Sequence, residues 1–180
     1  MLPSNIALVG FMGAGKSTVG RVLAARLGKT FVETDAMVEQ RVGLSVAEVF
    51  AQRGESCFRE LEAQAVLDAS QRRGCVIACG GGVVLREDNV VTLKQSCLLV
   101  YLDVSASFVL RRLTGQSTVR PLLEGVDRDV RVQELITQRR PVYEAVADIT
   151  ISTDGLAVEQ VVRRIQGRLR QQCNESHNTS

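Results

Sequence analysis

One short stretch, IALVGFMGAGKSTVG from Ile6 to Gly20, limits what this chain can fold into more than any other. An apolar, strand-like run breaks into Gly10, Gly13 and Gly15, then resumes at Lys16 and Ser17 as the start of a helical pattern. These residues fit G-x-x-x-x-G-K-[ST]. The glycines let successive backbone N–H groups curl around an anion, and the helix N-terminus adds its dipole. The lysine neutralises β- and γ-phosphate oxygens, and the serine hydroxyl is placed for Mg²⁺. With glycine near 7% of average usage, a chance match in such a chain is on the order of one in a hundred. The candidate ATP-binding residues are therefore Gly13, Ala14, Gly15, Lys16, Ser17 and Thr18.

Beyond the loop, short β-rich apolar runs alternate with longer amphipathic stretches. Strands are predicted at Asn5–Val9, Thr30–Glu33, Val76–Cys79, Cys97–Leu102 and Ile149–Ser152, with helices between them. Near-continuous apolar strands split by helices imply an α/β fold with a parallel sheet covered on both faces. The first helix shows Val19, Val22, Leu23 and Leu27 on one face and stops at Gly28. From Asp35 to Arg73 no strand is predicted, only helical patterns broken at Gly43 and Gly54. That is more chain than a simple crossover needs, and it marks residues 35–73 as a candidate substrate-binding insertion. A second irregular piece, TGQSTVRPLLEGVDRD at residues 114–129, is a candidate lid. The polar tail, residues 171–180, is expected to be disordered.

Composition removes several functions. At 180 residues and 45% apolar content the chain can bury one good core, which predicts a single domain. A formal charge of +2 from 22 basic and 20 acidic residues gives no surface-wide field for nucleic acid or anionic lipid. The five cysteines are scattered, and the lone His177 lies in the tail, so no Cys/His metal cluster is expected. Cys75 and Cys79, four extended residues apart, would sit ~13 Å from each other, too far to bridge. Without a signal-peptide pattern or a run of about 18 apolar residues, the expectation is a cytoplasmic protein with no membrane partner.

Two rival readings of the loop fail on spacing. Asp35 lies about twenty residues past the glycines, where a dinucleotide fold would place its ribose-binding acid. The glycine order here is G-x-x-G-x-G with a lysine following, whereas dinucleotide loops read G-x-G-x-x-G and have no use for that lysine. A GTPase switch would carry D-x-x-G and N-K-x-D, and neither occurs in the chain.

Four further clusters point to the acceptor: ETD at Glu33–Asp35, GESCFRELE at Gly54–Glu62, CGGG at Cys79–Gly82, and VRPLL followed by RRPVY in the last third. Together with the loop, and in this order, they resemble the shikimate kinase family over nearly the whole chain. The resemblance implies a three-layer P-loop kinase fold of the nucleoside-monophosphate-kinase type, with a five-stranded sheet in order 2-3-1-4-5, a helical insertion and a lid. It implies an enzyme that transfers the γ-phosphoryl of ATP to the 3-hydroxyl of shikimate with Mg²⁺; a monomer is expected.

Carried over residue by residue, the resemblance assigns Asp35 to the reacting hydroxyl. It assigns Arg59 and Arg139 to the shikimate carboxylate, and Gly80, Gly81 and Gly82 to the wall the ring approaches. Guanidinium forks suit that carboxylate because they pair with it through two parallel hydrogen bonds. Arg120 matches the arginine that closes over the transferring phosphate, and Arg112 an adenine-stacking position, with Arg111 beside it as the alternative. The chain departs from the common pattern at Glu33, where many members carry aspartate. Glu33 is thus a candidate metal ligand with Ser17, directly or through water. Cys79, just before the triple glycine, is expected either to lie near both substrates or to be an inert buried strand residue. Another small-molecule P-loop kinase, for gluconate or a nucleotide, and an inactive nucleotide-binding regulator are the alternative readings.

Overall fold

The organising strand is β1 (Asn5–Val9), all five of whose residues are buried. In the computed structural model, which describes residues 4–113 and 127–178, β1 lies between β3 (Cys75–Ala78) and β4 (Cys97–Asp103), both parallel to it. β2 (Thr30–Glu33) and β5 (Ile149–Ser152) complete the sheet in the order β2-β3-β1-β4-β5. Each position follows from its side-chain pattern. The central strands are near-continuously apolar because both faces are covered, whereas β5 alternates buried and exposed residues as an edge strand should.

The period of two along β1 divides the core. Ile6 and Leu8 pack with Val76, Val100 and Leu102 against α1 (Lys16–Leu27) and α7 (Val158–Asn178). Ala7 and Val9 face the other way, with Ile77, Leu99 and Tyr101, toward α3 (Val46–Ser70) and α4 (Glu87–Ser96). α5 (Ala106–Leu113) and α6 (Arg128–Val146) close the β4–β5 side.

Three strand boundaries coincide with the sequence expectation, and β4 extends one residue further, to Asp103. β3 starts one residue earlier than expected and ends before Cys79. Cys75 is drawn into the ladder because its N–H donates to the Asn5 side-chain oxygen at 3.0 Å and it aligns with Thr30 of β2.

The stretch from Asp35 to Arg73 is helical, as expected. α2 (Thr34–Val42) ends at Gly43, whose φ of 70° is the left-handed conformation that closes a helix. α3 begins at Ser45, which forms a reciprocal capping box with Glu48. Gly54, with φ 80° and ψ 170°, breaks α3 and re-aims the segment after it. Val38, Val49, Phe58 and Ala65 give this region its own small apolar cluster.

α7 runs to Asn178; Val162, Ile165 and Leu169 bury one face of its earlier turns, and Gln172 reaches back to the Asp148 carbonyl at 3.3 Å. The expected lid, residues 114–129, lies outside the described residues except for its end, where Asp127 caps α6 by accepting from the Asp129 N–H.

Asn5 ties the sheet to its own crossover: besides holding Cys75, its amide donates to the Arg72 carbonyl at 2.7 Å, with the residue 1% exposed. Asn5→Ala leaves both groups without these partners. It is expected to lower stability by about 2–3 kcal/mol in urea titration, with the denaturant slope unchanged. A loss below about 0.5 kcal/mol would contradict this role.

Candidate active site

At the carboxyl ends of β1 and β3 the chain leaves the sheet through two glycine-rich turns, and the site forms where they meet. In the first, Gly10, Gly13 and Gly15 all have positive φ, at 144°, 77° and 91°. A Cβ on Gly10 would stand 2.6 Å from the Leu102 carbonyl oxygen of β4, so that position accepts no other residue without moving the sheet. α1 starts at Lys16, whose Nζ donates to the carbonyls of Gly10 at 2.8 Å and Phe11 at 3.0 Å, across the mouth of the loop. Gly13 to Thr18 line a cleft of about 540 Å³ together with Glu33, Asp35, Cys79, Gly81 and Arg112.

The structure separates the neighbouring arginines of α5. Arg112 donates from Nη1 to the Gly13 carbonyl at 2.7 Å and lines the cleft. Arg111 lies over the Phe108 ring at 4.0 Å and is exposed. The far wall of the cleft is made by Thr153, Leu156, Val158 and Val161, which the sequence reading left unassigned.

Ser17 and Glu33 meet at the cleft wall, the serine hydroxyl donating to the Glu33 carboxylate. Among the described residues no group of three or more His, Cys, Asp or Glu side chains is placed to hold a metal. The oxygen pair of Ser17 and Glu33 is the kind of donor set that Mg²⁺ takes when phosphates and water supply the remaining ligands.

Asp35 opens the second half of the site. It sits in the first turn of α2 and lines both the phosphate cleft and an adjoining pocket walled by Val46, Phe50, Phe58, Arg59, Glu62 and Arg139. Gly80, Gly81 and Gly82 form the floor of that pocket. Their missing side chains have specific tenants. A Cβ at Gly80 would stand 2.5 Å from Glu62 Oε1 and 2.6 Å from Asp35 Oδ1, and a Cβ at Gly82 would run into the Arg59 guanidinium. The Gly80 N–H donates to Thr34 Oγ1 at 2.9 Å, locking the glycine run to the start of α2.

The kink at Gly54 lets one face of α3 supply Glu55, Phe58, Arg59 and Glu62. Arg59 donates from Nη1 to Glu62 at 2.8 Å and from Nη2 to Glu55 at 2.9 Å. Burial works against the charge of Arg59, but the two carboxylates outweigh it and hold its pKa above the usual value. For Glu62, 1% exposed, burial dominates and pushes the carboxyl up, against the pull of Arg59 and with the Asp35 charge adding to the rise.

Arg139 completes the pocket from α6. It is 8% exposed, lies 6.0 Å over the Phe11 ring and sits near enough to Tyr143 for its charge to act on the phenol. Arg140 turns the other way, to Asp103 at 2.9 Å.

Glu62 lines this pocket and Tyr143 backs its floor through the Gly81 carbonyl, although the sequence gives neither a role. The signal for Glu62 was its spacing of three from Arg59. Cys79 follows β3 rather than lying in it. It lines the cleft, yet it is buried, and burial pushes its thiol up so far that it stays protonated near neutrality, where only a thiolate would react. Arg120 lies outside the described residues.

A phosphate loop at the end of a central parallel strand, sheet order 2-3-1-4-5 and an adjoining pocket with a buried and a half-buried arginine define a P-loop kinase of the small-molecule type. The shikimate kinase family model matches residues 12–170 of the chain. A shikimate kinase of Moorella thermoacetica is 47% identical over 169 residues, covering 94% of this chain and 96% of that protein. The chain belongs to the shikimate kinase family. Its fold superposes on a shikimate kinase from Acinetobacter baumannii solved in complex with shikimate, with TM-score 0.90, 35% identity and 94% of each chain covered. A gluconokinase from Sinorhizobium meliloti shares the fold at TM-score 0.62, with 16% identity and coverage of 99% of this chain and 98% of that one.

Two glycines test the loop geometry. Gly10→Ala is expected to lower stability by more than about 1 kcal/mol and to abolish binding of ATP in calorimetric titration. Gly167→Ala, in the α7 interior with open space where the methyl would sit, should raise stability by roughly 0.5–1 kcal/mol and leave ATP binding alone. A Gly10→Ala variant that still binds ATP normally would contradict the assignment.

Proposed function

We infer that the chain transfers the γ-phosphoryl group of ATP to the 3-hydroxyl of shikimate, giving shikimate 3-phosphate and ADP. The observation that carries this reading is the pairing of two subsites across one wall. Met12, Asp35 and Gly81 line both the phosphate cleft and the pocket that holds Arg59 and Arg139. An acceptor whose carboxylate engages the two arginines can present a hydroxyl to Asp35, at the boundary where the γ-phosphate arrives.

The roles follow from charge and position. Lys16 neutralises oxygens of the β- and γ-phosphates, and the loop N–H groups hold them in line. Asp35 orients the acceptor hydroxyl and takes its proton late. A loose phosphoryl-transfer transition state asks little of the base and much of the positioning. Arg59 and Arg139 bind the carboxylate, the apolar walls of Phe50 and Phe58 exclude water, and Arg120 is assigned to the transferring phosphate. Mg²⁺ would be held by Ser17, with Glu33 contacting it directly or through water, and would supply charge neutralisation on the phosphate oxygens. Arg112 is assigned to the adenine.

Residues 35–73 serve in this reading as the acceptor-binding insertion, and residues 114–129 as the lid, within one domain. The protein is proposed to work as a cytoplasmic monomer. Among the described residues no helix is long and apolar enough to cross a membrane, and the five cysteines are free thiols.

ADP release from Mg-ATP, measured with shikimate, gluconate, AMP or no acceptor, tests the reading. Shikimate alone should stimulate turnover strongly. Acceptor-independent release or a clear preference for gluconate or AMP would overturn it. Asp35→Asn should cut kcat by at least ~100-fold with ATP affinity nearly intact. Loss of ATP binding in that variant would remove Asp35 from the acceptor side.

The arginine pair gives a sharper contrast, because the two residues are adjacent in sequence and point apart. Arg139→Lys should weaken shikimate binding about ten- to a hundredfold, since a point charge cannot reproduce the planar fork, whereas Arg140→Ala should leave it within about twofold. The reverse result would place the carboxylate on the other side of α6.

A further inference from the structure

We propose that Tyr143 is the positioning residue that aims Arg139 at the acceptor carboxylate, a role that rests on the shikimate kinase reading above. Tyr143 lies one helical turn after Arg139 on α6, so the two side chains share a face. A phenol has one hydrogen to donate and two lone pairs that accept. The Tyr143 hydroxyl donates to the Gly81 carbonyl, and the Arg139 guanidinium lies near enough for its charge to act on the phenol, whose free lone pair can take a hydrogen bond from it. One buried hydroxyl thus ties α6 to the middle glycine of the pocket floor, which lines the same pocket as the arginine.

The connection reaches the other subsite as well. Gly81 packs directly on the phosphate loop, where a Cβ would stand 3.4 Å from the Met12 amide nitrogen and 3.8 Å from the Gly10 carbonyl oxygen. The phenol that holds the Gly81 carbonyl therefore holds the wall between nucleotide and acceptor, and Arg139 is set relative to that wall.

The ring leaves the hydroxyl little freedom. It is 2% exposed and stacks on Tyr101 with centroids 5.0 Å apart and planes inclined by 15°. Burial pushes the phenol up to about 12, so it keeps its proton, and with it the bond to Gly81, across the working pH range.

Tyr101 supplies a built-in contrast. Its hydroxyl donates to Asp103 at 2.8 Å, and the same Asp103 oxygen pairs with Arg140. The two stacked phenols therefore serve the two consecutive arginines of α6 separately. Tyr143 holds the one that faces the acceptor, and Tyr101 works through Asp103 on the one that faces away.

Steady-state kinetics of Tyr143→Phe and Tyr101→Phe tests the proposal. Phenylalanine keeps the stacked ring and its volume and removes only the hydroxyl, so both variants should fold. Tyr143→Phe should raise the shikimate KM about tenfold while the ATP KM stays within about twofold and kcat within about threefold. Tyr101→Phe should leave all three near wild type, although it too loses a hydrogen-bonded hydroxyl. In an Arg139→Ala background, Tyr143→Phe should cost less than about twofold, because the hydroxyl then has nothing to aim.

An unchanged shikimate KM in Tyr143→Phe, an equal rise in both phenylalanine variants, or an undiminished cost without Arg139 would each overturn the positioning role. Failure of the unmodified protein to phosphorylate shikimate would instead overturn the functional reading, and it would show before any variant is compared.

Discussion

A carboxylate that is 1% exposed must be compensated where it stands, and the acceptor pocket is organised around that requirement at Glu62. Arg59 supplies the nearest positive charge, and the Arg139 charge also acts on it. The compensation explains the neighbouring sequence. Arg59 needs the space that a side chain at Gly82 would fill, and Gly80 is bare because the carboxylates of Glu62 and Asp35 both crowd its backbone. The glycine run is thus shaped as much by the charged groups packed onto it as by any ligand.

The same constraint explains how two arginines can be held in one pocket. Two guanidinium groups alone in an apolar pocket would repel and lose hydration, so they would need something to hold them there. Glu62 holds Arg59 from the side and its charge also acts with Arg139, and both arginines line one space between the aromatic wall and the glycine floor. Preorganisation of this kind reduces what must be ordered when the substrate binds.

Much of this was legible in the residues. The phosphate loop, the glycine run and the strand boundaries carry strong local signals, since a positive φ or a period of two leaves its mark on composition. The orientation of paired arginines does not. Arg139 and Arg140 look alike as letters, and the distinction lies in helix phase. Val132, Leu135, Ile136 and Tyr143 form the buried stripe of α6, and Arg139 falls on it while Arg140 falls off it. Arg111 and Arg112 divide similarly on α5. Glu62 was hidden because an acidic residue on a helix is read as solvated until the tertiary structure supplies its partner.

The central claim is that the acceptor is held by its carboxylate, in a pocket charged for one. Calorimetric titration of shikimate against its analogue in which the carboxylate is reduced to a hydroxymethyl group tests it most directly, because only the charge and the fork geometry change. Two charge-assisted pairings lost together should weaken binding by at least about a hundredfold. Equal affinity for the two compounds would show that the guanidinium pair does not hold the acceptor.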